Sequence, residues 1–194
     1  MNFGILMIQG LVNSFGSAVM AAFAVAVKID TIAYMPVQDF GNAFSVFTAQ
    51  NFGAGKHDRI KSGIKQSLIS VVLFCFAVST AVFFLSEPLM SLFCSDSETV
   101  AIGVQYLRTE GLCYIGIGIL FMLYGYYRAV NKPLMSVILT ILSLGTRVLL
   151  AYILSPVSTF GVMGIWVSIP IGWFLADTAG IGYYILRERR QYQK

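Results

Sequence analysis

Long apolar stretches separated by short polar segments dominate the pattern of this chain. A helix needs about 20 apolar residues to cross the roughly 30 Å hydrocarbon core of a bilayer. Six stretches approach or exceed that length, and Gly, Pro, Asn and Ser mark the segments between them. These stretches are residues 3–20, 23–52, 63–85, 100–127, 133–154 and 161–186. The pattern predicts an all-α integral membrane protein, with residues 1–194 forming one bundle of six transmembrane helices.

The composition agrees with a membrane environment. Hydrophobic residues make up 57% of the 194 residues and charged residues only 11%, whereas about 25% of an ordinary soluble domain is charged. A soluble domain of this length cannot bury so much apolar surface, because a large part of any small domain faces water. The lipid bilayer is therefore the first partner that the sequence predicts.

The basic residues are distributed asymmetrically along the chain. Ten of the thirteen Lys and Arg residues follow the second, fourth and sixth predicted spans, and these are Lys56, Arg59, Lys61, Lys65, Arg128, Lys132, Arg187, Arg189, Arg190 and Lys194. Because short basic loops stay in the cytoplasm, the pattern predicts a multi-pass plasma-membrane protein with both termini cytoplasmic. Anionic headgroups account for these bases. No nucleic-acid partner is predicted, since that would require a solvent-accessible basic face.

The segment AQNFGAGKHDRIK, residues 49–61, contains a Gly-Lys pair that invites comparison with a phosphate-binding loop. That loop requires a Gly five residues before the second Gly and a Ser or Thr after the Lys. Here Gln50 and His57 occupy those two places. The segment is instead predicted to end a helix at the cytoplasmic interface, where its glycines allow the chain to turn.

Residues that typically bind metals or form covalent intermediates are sparse. His57 is the single histidine, and the three cysteines show no CxxC spacing. We therefore expect no metal site, no cofactor and no enzymatic activity. One enzymatic alternative remains, in which Asp39 and Asp177 form a carboxylate pair inside the membrane, and this requires that the two side chains lie within a few ångströms of each other.

Charged residues inside predicted spans are costly and usually face the interior of a bundle. Counted from the cytoplasmic helix ends at 1.5 Å per residue, Asp39, Arg147 and Asp177 all lie about 20 Å deep. Spans five and six are sequential and antiparallel, so an Arg147–Asp177 ion pair is predicted. That pair either fixes the packing alone or has a functional role. Arg108 and Glu110 are predicted to belong to the outer interface.

A polar patch in the first two spans is the candidate cavity wall. Asp39 has no obvious basic partner, and amide and phenol side chains lie near it in the sequence. The members of this patch are Asp39, Gln38, Asn42, Tyr34, Gln9 and Asn13. They are predicted either to coordinate a substrate or cation, or to hold helices together through hydrogen bonds.

Two segments of the chain resemble a known family. PVQDFGNAFSVFTAQNFGAGKHDRI (residues 36–60) and YYRAVNKP (residues 126–133) are similar to the carboxy-terminal half of multidrug and toxic compound extrusion (MATE) transporters. The motif residues of the first segment are Gln50, Asn51, Gly53, Gly55 and Arg59. The resemblance covers essentially the whole chain. It implies helices seven to twelve of a twelve-helix transporter, so we expect a partner lobe of six amino-terminal helices, missing from this chain.

The resemblance also implies a function. A complete transporter of this family would export cationic or amphipathic compounds, including small lipophilic cations, by alternating access. The coupling ion would be H⁺ or Na⁺, with no other cofactor. Some members use one acidic residue in helix seven and another midway along helix ten. The first stretch here has Gln9 and Asn13 but no carboxylate, and the second has Ile117 and Gly118. That cation site is therefore expected to be absent, which leaves Asp39 as the candidate within the chain.

Two other functions remain as alternatives. A flippase for lipid-linked oligosaccharides, from a related superfamily, would need a strongly cationic cavity for pyrophosphate. Arg147 is the one deep base that the sequence offers. A non-transporting membrane assembly subunit would need neither a polar line facing a cavity nor a second lobe.

Overall fold

The computed structural model describes residues 2–157 and 160–188, and the side chains of residues 7–157 and 160–186. Within these ranges the chain is helical and contains no strand, which confirms the all-α prediction. Seven α-helices run in the order α1 Asn2–Asn13, α2 Ser17–Gly53, α3 His57–Ser91, α4 Ser97–Gly111, α5 Tyr114–Ala129, α6 Pro133–Leu154 and α7 Val162–Tyr183, and a π-helical turn, Tyr184–Glu188, follows α7. The basic tail residues Arg189, Arg190 and Lys194 lie outside the described residues.

Four of the described helices are long and apolar enough to cross a membrane: α2, α3, α6 and α7 with its continuation to Leu186. Helices α4 and α5 together make a fifth span if the pair is counted as one, and they are bent by 53° at their junction. The span predicted over residues 100–127 is therefore two helices, separated at Leu112 and Cys113. Six complete spans stay a prediction, because α1 has only 12 residues.

The first predicted span, residues 3–20, is interrupted rather than continuous. α1 ends at Asn13, and Gly16 adopts a positive φ of 106° immediately before α2. Glycine adopts this conformation readily, whereas other residues adopt it at a cost. The helix therefore stops at this turn, although the apolar residues continue through it in the sequence. Residues 17–20 consequently belong to α2, which is 37 residues long and spans about 55 Å at 1.5 Å per residue.

Small residues and aromatic rings hold the helices close together. A Cβ at Gly125 of α5 would lie 2.6 Å from the carbonyl oxygen of Gly41 in α2, so only glycine permits this approach. The Trp166 ring of α7 stacks on Phe23 of α2 at 5.4 Å and meets the edge of Tyr106 of α4 at 4.9 Å. These contacts join α2, α4 and α7 around the space in which the charged residues meet.

Candidate functional site

A partly open cavity of about 110 Å³, lined by buried charged side chains, lies among α2, α4, α5, α6 and α7. Three charged side chains line it: Asp30 from α2, Glu110 from α4 and Arg147 from α6. Asp30 is 4% exposed and Glu110 is fully buried. Charges at such positions inside a membrane protein are costly and usually functional, so this cavity is the candidate functional site.

Asp30 is held by a short hydrogen bond from a neighbouring helix. The Tyr114 hydroxyl donates to Asp30 Oδ1 at 2.6 Å, and both residues are buried. This bond joins α5 to α2 beside the cavity. Tyr34 follows Asp30 by four residues, lies on the same side of α2 and also lines the cavity.

Glu110 and Arg147 have unfilled hydrogen-bonding capacity. Neither carboxylate oxygen of Glu110 has a hydrogen-bond partner, and Arg147 Nε also lacks one. No ion pair within 4.0 Å joins Arg147 to either carboxylate among the described residues. The guanidinium nevertheless lies within electrostatic range of both Asp30 and Glu110. The three charged groups therefore surround a shared space without neutralising one another through direct contact.

The size and lining of the cavity limit its possible occupants. Its other polar or aromatic lining residues are Phe23, Tyr34, Tyr106, Phe121, Tyr124, Thr140, Ser143 and Trp173. Pockets for drug-sized molecules have volumes of roughly 300–1,000 Å³, whereas a water molecule takes about 30 Å³ of liquid volume. A cavity of about 110 Å³ suits a few waters, a proton or a small monovalent ion rather than a drug.

The charged cluster is located at the bend between α4 and α5. Glu110 is the penultimate residue of α4, and Tyr114, which binds Asp30, is the first residue of α5. The 53° bend therefore falls between Glu110 and the residue that donates a hydrogen bond to Asp30.

The structure places most of the predicted polar patch elsewhere. Tyr34 lines the cavity that contains Asp30, not a cavity shared with Asp39. Gln38, Asp39 and Asn42 are exposed on the outside of the bundle. Asn42 Oδ1 accepts a hydrogen bond of 3.2 Å from Arg128 Nη2.

Gln9 and Asn13 are exposed as well and lie far from Asp39. Asp39 is 22 residues beyond the start of α2, or about 33 Å along the helix. The two amides belong to α1, which joins that start through a three-residue turn. The distance from either amide to Asp39 is therefore more than about 15 Å, and the structure does not bring the predicted patch together.

The predicted Arg147–Asp177 ion pair is wrong. Asp177 is buried in α7, but neither of its carboxylate oxygens has a hydrogen-bond partner. Arg147 lies at the level of Gly172, where a Cβ would be 3.4 Å from the Arg147 Cβ. Asp177 is five residues further along α7, which moves it about 8 Å and turns it by about 140°. Counting from uncertain helix ends had placed the two residues at one depth.

Glu110 is fully buried in the bundle, although the sequence predicted a place at the outer interface. α4 begins at Ser97, so Glu110 lies 13 residues, or about 20 Å, into the helix. Arg108 is exposed, and its Nε donates to Ser86 Oγ at 3.2 Å. Sequence reasoning overlooked Asp30 altogether. The signal that could have found it is a carboxylate in a long apolar run, with Tyr34 four residues later on the same face.

The segment around Gly53 and Gly55 forms the turn that its sequence predicts. α2 ends at Gly53, and Gly55 adopts a positive φ of 68° before α3 begins. The Lys56 N–H donates to the Asn51 carbonyl at 2.8 Å, and Asn51 Nδ2 donates to the Phe47 carbonyl at 2.8 Å. The motif residues Gln50 and Arg59 are exposed.

A protein-family model and several curated proteins match this chain. The family model described as MatE matches residues 1–153. The probable multidrug resistance protein YoeA of Bacillus subtilis is 27% identical over 89% of this chain and 38% of its own length. The FAD transporter of Shewanella oneidensis is 26% identical over 94% of this chain and 39% of its own length. The chain thus spans about two fifths of the length of these curated relatives.

A solved structure shows the same fold. A multidrug resistance MATE family transporter of the MOP superfamily, in an outward-facing conformation, matches with a TM-score of 0.91 at 19% identity. The match covers 100% of this chain and 44% of that one. With the family model matched over residues 1–153, this chain belongs to the MatE family.

Proposed function

We propose that this chain is the carboxy-terminal lobe of a cation-coupled multidrug antiporter. The intact transporter exports cationic or amphipathic compounds by alternating access across the plasma membrane, with both termini of this lobe in the cytoplasm. The family match, the printed names of the relatives and the distribution of bases along the chain support the proposal. The observation that carries it is the buried cluster of Asp30, Glu110 and Arg147.

The cluster has the charge needed to bind a coupling ion. Two carboxylates and one guanidinium leave one net negative charge when all three are ionised. An uncompensated charge in a site of low dielectric constant favours uptake of a cation. The cavity has room for such an ion and a few waters, but not for a drug. The cluster therefore acts as an ion site, and the drug binds elsewhere.

Coupling operates through the bend between α4 and α5. Uptake of a cation removes the net charge on the residues that flank this bend, Glu110 on one side and Tyr114 with its partner Asp30 on the other. A ligand shifts a conformational equilibrium by the difference between its affinities for the two states. If the bend has two states in which the charge around the cavity differs, the coupling ion binds one state more tightly than the other.

Asp39 has a separate role on the exposed face of α2. A carboxylate exposed to lipid at this depth is costly, so we propose that its surface borders a water-filled space between this lobe and an amino-terminal lobe. There Asp39 attracts the cationic substrate, and Gln38 and Asn42 contribute further polar contacts. The buried cavity contains one guanidinium and two carboxylates, a charge balance that suits a cation better than a pyrophosphate. This balance favours an antiporter over a flippase.

Ethidium efflux from cells tests the proposal. Cells would produce this chain alone, the chain with a six-helix amino-terminal lobe of a relative supplied in trans, or that lobe alone. We expect efflux only when both lobes are present, and its loss in Glu110→Gln. Release of FAD into the medium is measured in parallel, because one relative is named as an FAD transporter. Export of FAD without ethidium would overturn the proposed substrate class, and efflux that Glu110→Gln leaves intact would overturn the ion site.

A further inference from the structure

We propose that Arg147 acts as a built-in cation in the buried cluster, so that the ion this lobe takes up is a proton, held by Glu110, rather than Na⁺. The inference rests on the proposed coupling role of the cavity and specifies its ion. It is carried by the positions of the three charged groups and by the unfilled hydrogen-bonding capacity of two of them.

The first step concerns the charge balance. The Arg147 guanidinium remains protonated under all physiological conditions. It lies within electrostatic range of both carboxylates, but makes no ion pair within 4.0 Å with either. Its charge thus offsets one carboxylate across the shared space. One negative charge remains, and a single proton removes it.

The second step concerns the choice between a proton and a metal ion. A Na⁺ ion in this cavity would share about 110 Å³ with a permanently charged guanidinium. Two positive charges repel more strongly in such a partly buried site than they do in bulk water. A proton becomes part of a neutral carboxyl group and avoids this repulsion. Arg147 therefore selects against metal cations while it compensates half of the acidic charge.

The third step concerns the residue that holds the proton. Asp30 accepts a hydrogen bond of 2.6 Å from the Tyr114 hydroxyl, so this carboxylate already has a donor. Glu110 is fully buried, and neither of its oxygens is bonded. The other titratable or charged groups near Glu110 are Asp30 and Tyr34 of α2, Tyr106 of α4, Cys113 at the break, Tyr114 and Tyr124 of α5 and Arg147 of α6. α3 contributes no residue to the cavity, and the α7 residues that line it, Ile169 and Trp173, do not titrate.

Infrared spectroscopy of the purified full chain in lipid nanodiscs tests the identity of the proton carrier. A protonated carboxyl group has a C=O stretching band well separated from that of a carboxylate. We expect a pH-dependent band of this type in the wild-type chain, its loss in Glu110→Gln and its retention in Glu87→Gln, a matched control at an exposed residue of α3. A band unchanged in Glu110→Gln would overturn Glu110 as the carrier. Because Gln resembles a protonated Glu in shape and charge, this variant is expected to fold.

A Na⁺ titration of the same samples tests the role of Arg147. Trp173 lines the cavity, so tryptophan fluorescence is recorded while Na⁺ replaces choline at constant ionic strength. We expect no saturable response in the wild-type chain or in Arg147→Lys. We expect a new saturable response in Arg147→Gln, lost when Glu110→Gln is added. A saturable wild-type response that Glu110→Gln abolishes would identify Na⁺ as the ion.

Both readouts measure binding by this chain and do not require transport. If cells show no ethidium efflux in any combination of lobes while the band and the titration behave as expected, the proposed function fails and the proton site stands. If efflux occurs and depends on Glu110, but the wild-type chain responds to Na⁺, the proposed function stands and this inference fails.

Discussion

Asp30 and Asp39 project from opposite faces of α2, nine residues apart. At 100° per residue this spacing is two and a half turns, and it separates the two carboxylates by about 14 Å along the helix. Asp30 is 4% exposed and lines the buried cavity, whereas Asp39 is exposed on the outside of the bundle. One helix thus presents one carboxylate to the cavity and another to the outside of the bundle, where we propose that an amino-terminal lobe packs.

The hydrogen bond between Tyr114 and Asp30 links α5 to α2, and its removal is expected to destabilise the bundle. Tyr114→Phe leaves Asp30 Oδ1 buried without its 2.6 Å donor, which costs about 1–3 kcal/mol in the free energy of unfolding. Thermal unfolding in detergent measures the loss. Tyr152→Phe in α6 is the control, because Tyr152 is 46% exposed. An equal midpoint for both variants would contradict the structural role of the hydroxyl.

A double-mutant cycle distinguishes the observed partners of Arg147 from the predicted one. Arg147 shares the cavity with Glu110, so Arg147→Gln and Glu110→Gln are expected to couple by about 0.5–3 kcal/mol in unfolding free energy. Asp177 is turned away from Arg147, so Arg147→Gln and Asp177→Asn should add within about 0.5 kcal/mol. Stronger coupling of Arg147 with Asp177 than with Glu110 would contradict the structure and support the Arg147–Asp177 ion pair predicted from the sequence.

The sequence was sufficient for the class of the protein but not for its site. The apolar pattern and the low charge content predicted a helical membrane protein, because both follow from the cost of exposing polar groups to lipid. The turn at Gly53 and Gly55 was predicted because glycine alone adopts a positive φ without strain. These features depend on neighbouring residues and can be read locally.

The cluster of Asp30, Glu110 and Arg147 depends on relations that local patterns do not contain. Its members come from three helices, and their meeting depends on the register of α6 against α7 and on the break after α4. An error of a few residues at a helix end changes the inferred depth by several ångströms and the face by most of a turn. This error placed Glu110 near the surface and paired Arg147 with Asp177.

The contact between α6 and α7 is expected to be sensitive to a single methyl group. A Cβ at Gly172 would lie 2.5 Å from the Ser143 carbonyl oxygen, so Gly172→Ala forces the helices apart at a cost of about 1–3 kcal/mol. Gly145→Ala in α6 is the matched control, because a Cβ there meets nothing within 4 Å. It should be neutral or stabilise the helix by up to about 1 kcal/mol. Unfolding midpoints that change in the opposite order would contradict this packing.

The loop before α4 is expected to contribute a pH-dependent stability at acidic pH. Asp96 Oδ2 accepts hydrogen bonds from the Thr99 hydroxyl at 2.7 Å and from the Thr99 backbone N–H at 2.9 Å. These bonds, the hydroxyl bond first, lower the pKa of the Asp96 carboxyl below its ordinary value. A carboxyl whose pKa is lowered by folding contributes its full stabilisation at pH values above its ordinary pKa. That stabilisation is lost as the pH falls through the lowered pKa.

Asp96→Asn tests this prediction, because Asn keeps a side-chain acceptor for the helix cap but does not titrate. The wild-type chain should lose its stability advantage over the variant as the pH falls below about 4. Unfolding midpoints across an acidic pH series measure the effect. An advantage that stays constant across the series would contradict it.

Ethidium-induced proton movement in proteoliposomes containing both lobes tests the central claim, that the buried cluster rather than Asp39 is the ion site. The comparison is between the wild-type chain, Glu110→Gln and Asp39→Asn. The account predicts that Glu110→Gln abolishes proton movement at every ethidium concentration. Asp39→Asn should retain proton movement at saturating ethidium. It should raise the ethidium concentration that gives half of the maximal proton movement. Proton movement that survives in Glu110→Gln and is lost in Asp39→Asn would contradict the account.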